Sequence, residues 1–439
     1  MSMNRQIMRL AIPNIISNIS IPLLSLVDLA IAGHLGGDSV ISGLAIGTSI
    51  FNFIYWIFSF IRMGASGLTA QAYGAENKQE CADILMRAIC IALFCGISIL
   101  TLNKPVGRLF INIMQGSELA SELALEYFYA RVWAVPGGIA IFAIQGWFIG
   151  MQDSKTPMVV AIISNLLNPI FCYLLAFTFD MGIAGIGYGT VMAQYCGLTM
   201  YIVLWLRKYG HFKPFLRLKE SFSLKPMIRF LHVNKDIFFR TTCIVIVYTY
   251  FTAASARFGD TILATNTILM ELFMTFSYLI DGFAYASESL VGRFVGAQDK
   301  NSLKSSIRLL FVWSFGGALI YAGAYMGFWR EIMGFFSASE AVIECTGEYI
   351  WWIISITLFC FIPFLIDGIL VGATKTRALR NSVFISTFAF FGTFFALVGK
   401  MGNNALWLAF AFYVLSRGIY LFFATKNLDS DYLLDTSRN

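Results

Sequence analysis

The sequence is poor in charged residues. Only 13% of its 439 residues are Asp, Glu, Lys or Arg, whereas 58% are hydrophobic and 16% aromatic. The mean hydropathy is +0.72. A water-soluble chain of this length needs a far larger share of charge to cover its surface. The composition therefore excludes a soluble protein and predicts one that crosses the lipid bilayer many times.

The residues of common membrane catalysts are also scarce. Only three histidines occur, and neither a DDxxD nor an HExxH motif is present. Intramembrane enzymes rely on clustered histidines, paired acids or metal ligands, so an enzyme is disfavoured and no catalytic residue or metal cluster is expected. A phosphate-binding GxxxxGK[ST] loop is missing as well, which excludes an ATP-driven pump. No organic cofactor is expected.

Twelve apolar segments are long enough to cross a bilayer, for which a helix needs roughly 20 residues. They lie at about 8–33, 40–70, 84–103, 124–150, 157–179, 182–206, 236–258, 262–290, 304–328, 346–372, 379–399 and 403–425. We therefore predict an all-α membrane protein with a six-helix lobe at 1–206, a linker at 207–235, a second six-helix lobe at 236–425 and a tail at 426–439.

The distribution of basic residues predicts how the chain is oriented in the membrane. The linker contains eight Lys and Arg but a single acid, Glu220. By the positive-inside rule the linker is cytoplasmic, and an even number of spans puts both termini on the same side. The net charge of +6 is explained by such basic loops, so no nucleic-acid partner is expected.

The two halves are related in sequence. The segment from Gly37 to Lys78 (GDSVISGLA…GAENK) aligns without gaps on Gly259 to Lys300 (GDTILATNT…GAQDK), an offset of 222 residues. Because each copy has an even number of spans, both enter the membrane from the same side and form a parallel repeat. Pseudo-symmetric lobes of this kind are typical of transporters that open alternately to the two sides of a membrane.

A polar stripe runs along the first predicted helix and contains Asp28. Its members Asn14, Asn18, Ser25 and Asp28 fall within an arc of about 80° on the helix. A carboxylate in the hydrocarbon costs roughly 3 kcal/mol or more, so the stripe must face protein or water. Pro13 and Pro22 are natural bending points. Asp28 is then either a buried acid that fixes helix packing or a group that takes up and releases a proton.

Other polar side chains lie in the predicted spans. The fifth and sixth spans carry Ser164, Asn165, Asn168, Thr190 and Gln194, which could be partners of Asp28 or helix-packing residues. The second half carries Arg240, Asn266, Glu271, Asp281, Glu288, Asp367 and Arg417. Opposite charges at membrane depth are most stable as pairs, so Arg240 or Arg417 is expected to pair with Asp281 or Asp367.

These residues belong to stretches that resemble the multidrug and toxic compound extrusion (MATE) family, and within it the DinF-type bacterial branch. The stretches are AIPNIISNISIPLLSLVDLAIAGHLG, FIRMGASGLTAQAYGA, NKDIFFRT, YLIDGFAYASESLVGRFVGA, LIDGILVGAT and NNALWLAFAFYVLSRG, which together span residues 11 to 418. The resemblance implies two lobes that open alternately and export cationic or amphipathic compounds against an inward flow of protons or sodium ions.

The resemblance also implies roles for individual residues. The coupling carboxylate of the first helix matches Asp28, and the bend proline matches Pro13. The Asn-x-x-x-Asp-Pro element of some members reads SNLLNP here, so Ser164 and Asn168 stand where Asn and Asp would be, while Thr190 is kept. Only one formal negative charge remains. A sodium ion would have to use the oxygens of Asp28, Asn168 and Thr190.

The sequence thus favours a proton-coupled exporter of amphipathic or cationic organic compounds, with no cofactor besides the coupling ion. A sodium-coupled exporter is the nearest alternative, and a flippase of lipid-linked precursors is a third. The expected surroundings are the lipid bilayer of the bacterial cytoplasmic membrane, with the protein acting as a monomer. Glu271 matches none of the family stretches.

Overall fold

The computed structural model describes residues 2–36, 38–114, 117–216, 224–336, 340–426, 429 and 433–434. All regular secondary structure in these ranges is helical. Fifteen α-helices follow one another as α1 Met3–Gly36, α2 Asp38–Phe58, α3 Phe60–Gly74, α4 Lys78–Thr101, α5 Asn103–Met114, α6 Glu118–Arg131, α7 Val135–Gly150, α8 Lys155–Tyr173, α9 Gly182–Tyr209, α10 Leu224–Ser255, α11 Asp260–Gly296, α12 Lys300–Phe336, α13 Glu340–Gly372, α14 Thr376–Met401 and α15 Asn403–Ala424.

Eleven helical segments among the described residues are long and apolar enough to cross a membrane. Two of them combine consecutive helices, α2 with α3 and α6 with α7. Helix α1 has 34 residues, about 50 Å at 1.5 Å per residue, and occupies the position of the first predicted span. The predicted all-α membrane fold is confirmed. The side chains of Pro22 and Ser25 lie outside the described part of α1.

The predicted linker is partly helical. Helix α9 continues to Tyr209, a short 3-10 helix covers Gly210–Phe215, and α10 already begins at Leu224. The basic residues Arg217 and Lys219 lie outside the described residues, as does Glu220.

By packing, the chain forms two compact units. The N-terminal unit comprises Ile16–Leu231, and the C-terminal unit comprises Met1–Ile15 together with His232–Asn439. The first part of α1 therefore belongs to the C-terminal unit, where it approaches α11 closely: a Cβ atom on Gly282 would lie 3.0 Å from the Ile15 nitrogen and 3.1 Å from the Ala11 oxygen.

Glycine contacts repeat in the two units at the offset found in the sequence. A Cβ atom on Gly146 would lie 2.2 Å from the Arg62 oxygen, and one on Gly368 would lie 2.3 Å from the Ala284 oxygen. Each pair of residues is separated by 222 positions. Both glycines are needed because only a residue without a side chain allows two helix backbones to approach this closely.

The turns repeat in the same way. Non-glycine residues with positive φ are rare, yet Glu76 and Gln298 both have a φ of 55°. Gln152 has 63° and Thr374 has 55°, while Asp180 and Gly402 both have 54°. These pairs also share the offset of 222 residues. The duplication therefore includes the turns as well as the helices.

Candidate functional site

The N-terminal unit contains a small polar pocket beside α1. Its volume is about 100 Å³, and it is lined by Asp28, Arg131, Ser164, Asn165, Asn168, Thr190, Ala193 and Gln194. We call it the Asp28 pocket. Sites for drug-sized ligands have volumes of roughly 300 to 1,000 Å³. The Asp28 pocket is therefore of a size for water molecules or a small ion.

Glycines on α9 bring the walls of the Asp28 pocket together. A Cβ atom on Gly189 would lie 2.5 Å from the Cys172 nitrogen, and one on Gly197 would lie 2.5 Å from Ser164 Oγ. On the other side of α9, a Cβ atom on Gly187 would lie 3.1 Å from the Arg131 nitrogen. Helix α9 thus approaches both α6 and α8, and this close packing places their polar side chains around one cavity.

Asn168 and Thr190 form the buried end of the pocket. They are 2% and 4% exposed, and Asn168 Nδ2 donates to Thr190 Oγ1 over 3.2 Å. The Thr190 hydroxyl donates to the Ile186 carbonyl at 3.1 Å, and Cys172 Sγ lies 3.5 Å from Asn168 Oδ1. These side chains satisfy one another's hydrogen bonds, which fixes the rotamers of this end of the pocket.

Three residues that line the pocket each have a buried polar atom without a hydrogen-bond partner in the described part of the chain. They are Asp28 Oδ1, Ser164 Oγ and Arg131 Nε. Buried polar groups are nearly always paired with protein or with ordered water. Because their residues line one water-sized cavity, ordered water in this cavity is the expected partner of these atoms.

Arg131 is the charged partner of Asp28 in this pocket, close enough for their charges to interact. Its guanidinium is held by aromatic side chains. Nη1 donates to the Tyr127 hydroxyl, and Cζ lies 4.6 Å from the centre of the Phe51 ring. Gly47 makes room for the Tyr127 ring, since a Cβ atom there would lie 2.4 Å from Tyr127 Cδ1.

Gln194 and Asn165 connect the pocket to further side chains of the same unit. Tyr55 donates its hydroxyl hydrogen to Gln194 Oε1 at 3.1 Å, and a Cβ atom on Gly138 would collide with both of these side chains. Asn165 Nδ2 donates to Ser20 Oγ at 2.7 Å. Ser20 lies on α1, so this hydrogen bond joins α1 to α8 about two turns before Asp28.

The structure thus gathers most of the polar residues expected around Asp28. Ser164, Asn165, Asn168, Thr190 and Gln194 all line the pocket. Asn14 and Asn18 do not. Asn14 is 1% exposed, lies in the C-terminal unit and donates to the Leu10 carbonyl at 2.8 Å; Asn18 is 7% exposed. Pro13 lies within α1, which is helical on both sides of it.

Arg131 is the charged pocket residue that the sequence analysis does not name as a candidate. The available signal was an arginine between aromatic residues inside an apolar stretch, at Tyr127-Phe-Tyr-Ala-Arg131. Intramembrane arginines are rare and mark functional sites. Its partner Asp28 could not be inferred, since the contact depends on how α1 and α6 pack.

The charged residues of the C-terminal unit form a separate buried cluster. Arg240 Nε donates to Asp367 Oδ2 at 3.0 Å, and Arg240 Nη2 and Arg417 Nη2 donate to the same oxygen. Arg417 and Asp367 are each 4% exposed. Of the pairings left open by the sequence, the structure joins both arginines to Asp367.

The remaining polar candidates of this unit have different surroundings. Asn266 takes part in a buried network: Nδ2 donates to Ser255 Oγ at 2.8 Å and to Asn403 Oδ1 at 2.7 Å, while Oδ1 accepts from Trp407 Nε1 at 2.9 Å. Glu288 is 1% exposed. Asp281 is half-buried, and Glu271 is exposed on α11.

Comparison with known proteins agrees with this architecture. The chain matches the sequence model of the family described as MatE over residues 13–174 and 237–398. It is 31% identical to DNA damage-inducible protein F of Escherichia coli (strain K12), over 96% of this chain and 91% of that protein. It is 23% identical to the probable multidrug resistance protein NorM of Thermotoga maritima, over 87% of this chain and 82% of that protein.

Solved structures share the fold. One is the outward-facing conformation of a multidrug resistance MATE family transporter of the MOP superfamily, with a TM-score of 0.86, 18% identity, and coverage of 99% of this chain and 98% of that chain. Fold and pocket together define a multi-pass membrane protein with a duplicated helical repeat, of the kind found in transporters. The chain belongs to the MatE family, which is a family of transporters.

Proposed function

We propose that this protein is a secondary antiporter that exports amphipathic or cationic organic compounds while protons move inward through Asp28. The observation that carries the proposal is the Asp28 pocket. It places a buried carboxyl oxygen without a hydrogen-bond partner beside a cavity of about 100 Å³. Such a cavity admits water but no organic substrate, so it suits a coupling ion rather than the exported compound.

The coupling follows from the position of Asp28 on α1. When the carboxyl is ionised, its charge is balanced by Arg131; when it is protonated, it loses that charge and gains an O–H donor while its carbonyl oxygen still accepts. The Asn165–Ser20 hydrogen bond holds α1 against α8 close to this group. The two protonation states therefore favour different arrangements of α1, with bending at Pro13, and this differential stability links proton movement to substrate release.

The class of compounds that the protein exports is proposed from the names of its relatives, which include multidrug resistance proteins. The chain supplies many aromatic and flexible apolar side chains, with 42 Phe and 17 Met, and such side chains adapt to varied hydrophobic compounds. We further propose a monomer in the bacterial cytoplasmic membrane with both termini inside, as the basic linker and loops indicate.

Sodium coupling is the nearest alternative, because Asp28, Asn168 and Thr190 supply oxygen atoms to the same pocket. Two observations disfavour it. Among the described residues, Asp28 is the only carboxylate that lines the pocket, and the oxygens of Asn168 and Thr190 already accept hydrogen bonds from neighbouring side chains. A flippase would need free basic side chains to hold a pyrophosphate, whereas Arg240 and Arg417 are both bonded to Asp367.

The test is efflux from proteoliposomes in which proton and sodium gradients are imposed independently. We expect a pH gradient alone to drive export by the wild type and a sodium gradient alone to leave it at the background rate. Asp28→Asn, which mimics the neutral acid, should abolish export against a gradient. The matched control is Asp180→Asn, at an exposed turn with a φ of 54°. Wild-type efflux by Asp28→Asn would refute the proposal.

A further inference from the structure

Arg131 places a fixed positive charge inside the pocket where a coupling metal ion would have to bind. Arg131 lines the same pocket as Asp28, Asn168 and Thr190. We propose that Arg131 is the residue that sets the ion specificity of this pocket, admitting a proton to Asp28 while excluding sodium and other metal cations. The inference rests on the proposed role of Asp28 and adds the reason why this carboxyl group binds a proton and not a metal ion.

The guanidinium is anchored, so it cannot easily leave the pocket to make room for another cation. Its Nη1 atom donates to the hydroxyl of Tyr127, a residue that is 0% exposed. Its planar group lies over the Phe51 ring at 4.6 Å, an arrangement favoured by cation–π attraction. Tyr127 in turn fills the space left by Gly47 on α2. The anchor is thus built from α2 and α6 together.

A metal ion and a proton place different demands on such a site. A hard cation needs several oxygen ligands and a net negative environment. Here the ionised Asp28 is already balanced by Arg131, so an added cation would be repelled by a like charge at close range in a poorly hydrated pocket. A proton forms a covalent O–H bond with one carboxyl oxygen and needs neither a coordination shell nor excess negative charge.

The hydrogen-bond donors around the pocket also disfavour the binding of a metal ion. Arg131 lines the pocket, and its buried Nε has no hydrogen-bond partner in the described part of the chain; a guanidinium N–H can only donate. Thr190 Oγ1 accepts from Asn168 Nδ2 and donates to the Ile186 carbonyl. Asn168 Oδ1 is approached by Cys172 Sγ. Within the described part of the chain, Tyr127 and Cys172 also interact electrostatically with Asp28, and neither supplies a second carboxylate.

Removing the charge of Arg131 should therefore create a sodium site. The experiment measures the midpoint of thermal unfolding of the purified full-length protein in detergent, titrated with NaCl against N-methylglucamine chloride at equal ionic strength. Ligands that bind only the folded state raise this midpoint in a saturable way. We expect a saturable, sodium-specific rise for Arg131→Gln and no such rise for the wild type or for Arg131→Lys, which keeps the charge.

A double variant, Arg131→Gln with Asp28→Asn, shows whether the new site uses the carboxylate, and it should lose the sodium response. Arg131→Met, which fills the same space between Phe51 and Tyr127, is measured in parallel in case Arg131→Gln does not fold. Saturable stabilisation of the wild type by sodium would overturn the inference. So would charge-neutral variants that fold but whose unfolding midpoint does not rise with sodium. Because the measurement involves no transport, its failure is distinct from a failure of the Asp28→Asn efflux test.

Discussion

Asp367 is the residue on which the charge balance of the C-terminal unit depends. Replacing it by Asn removes the negative charge that Arg240 and Arg417 share while leaving both arginines in place. Breaking a buried ion pair by removing one partner typically costs about 3–5 kcal/mol. We expect Asp367→Asn to lower the midpoint of thermal unfolding strongly and to reduce the yield of monodisperse protein. Glu271→Gln, on the exposed part of α11, is the control and should behave like the wild type.

The Asn266–Asn403 pair should show energetic coupling. The two amides exchange hydrogen bonds of 2.7 and 3.2 Å in a buried environment, and an unsatisfied buried polar group costs about 1–3 kcal/mol. Each single replacement by Ala should destabilise the protein, and the double variant should lose less than the sum of the two losses. Additive losses in a double-mutant cycle would show that the two amides do not stabilise each other.

At the residue scale, the sequence indicates which side chains lie close together where the signal is local. Asn168 and Thr190 were found because each lies in an apolar span that matches a family element, and both line the pocket. Asn14 and Asn18 share a helix face with Asp28, yet neither lines the pocket. For Asn14 the reason is that the chain passes from one packing unit to the other between Ile15 and Ile16, a change that helical periodicity cannot reveal.

Glycine contacts between helices provide a test at the scale of elements. Replacing Gly146 by Ala puts a methyl group 2.2 Å from the Arg62 oxygen, so α7 must move away from α3. Gly368→Ala has the same effect on α13 and α11, with the Ala284 oxygen at 2.3 Å. We expect both variants to lose several degrees of thermal stability, since overpacking typically costs about 1–3 kcal/mol.

The control for this prediction is Gly392→Ala on α14, where a Cβ atom would meet nothing within 4 Å. It should be neutral or slightly stabilising, because Ala favours a helix over Gly by about 1 kcal/mol. Equal stability of all three variants would mean that the close approach of these helices tolerates a methyl group. Gly146 and Gly368 are related by the offset of 222 residues that the sequence shows, but only the structure shows what each of them contacts.

The positions of the spans along the chain are predictable from apolar length, whereas their exact ends and the interruptions within them are not. The second span is one apolar run in the sequence but two helices in the structure, separated at Ser59. The fifth span contains Pro169 and ends in a π-helical turn at Leu174–Thr178. Such features depend on how the backbone hydrogen bonds are satisfied by packing, which composition and periodicity do not encode.

At the scale of the whole molecule, the repeat predicts which turns lie on the same side of the membrane. The turns at Glu76 and Gln298 are repeat mates, and so are those at Asp180 and Gly402, as their matching φ angles show. In a parallel repeat each pair of mates must lie on the same side of the membrane. The number of spans between Glu76 and Asp180 is odd, so these two pairs must lie on opposite sides.

The positive-inside rule decides which side is which. Lys78 and Lys300 directly follow the first pair of turns, so Glu76 and Gln298 should be cytoplasmic. The test uses single cysteines at exposed positions, in a background where the eight native cysteines are replaced, and a membrane-impermeant maleimide. Glu76→Cys and Gln298→Cys should react only when the cytoplasmic face is opened, whereas Asp180→Cys and Lys400→Cys should react in intact cells. Labelling of Glu76→Cys and Gln298→Cys from opposite sides would exclude a parallel repeat, and labelling of both from outside would invert the proposed direction of proton flow and export.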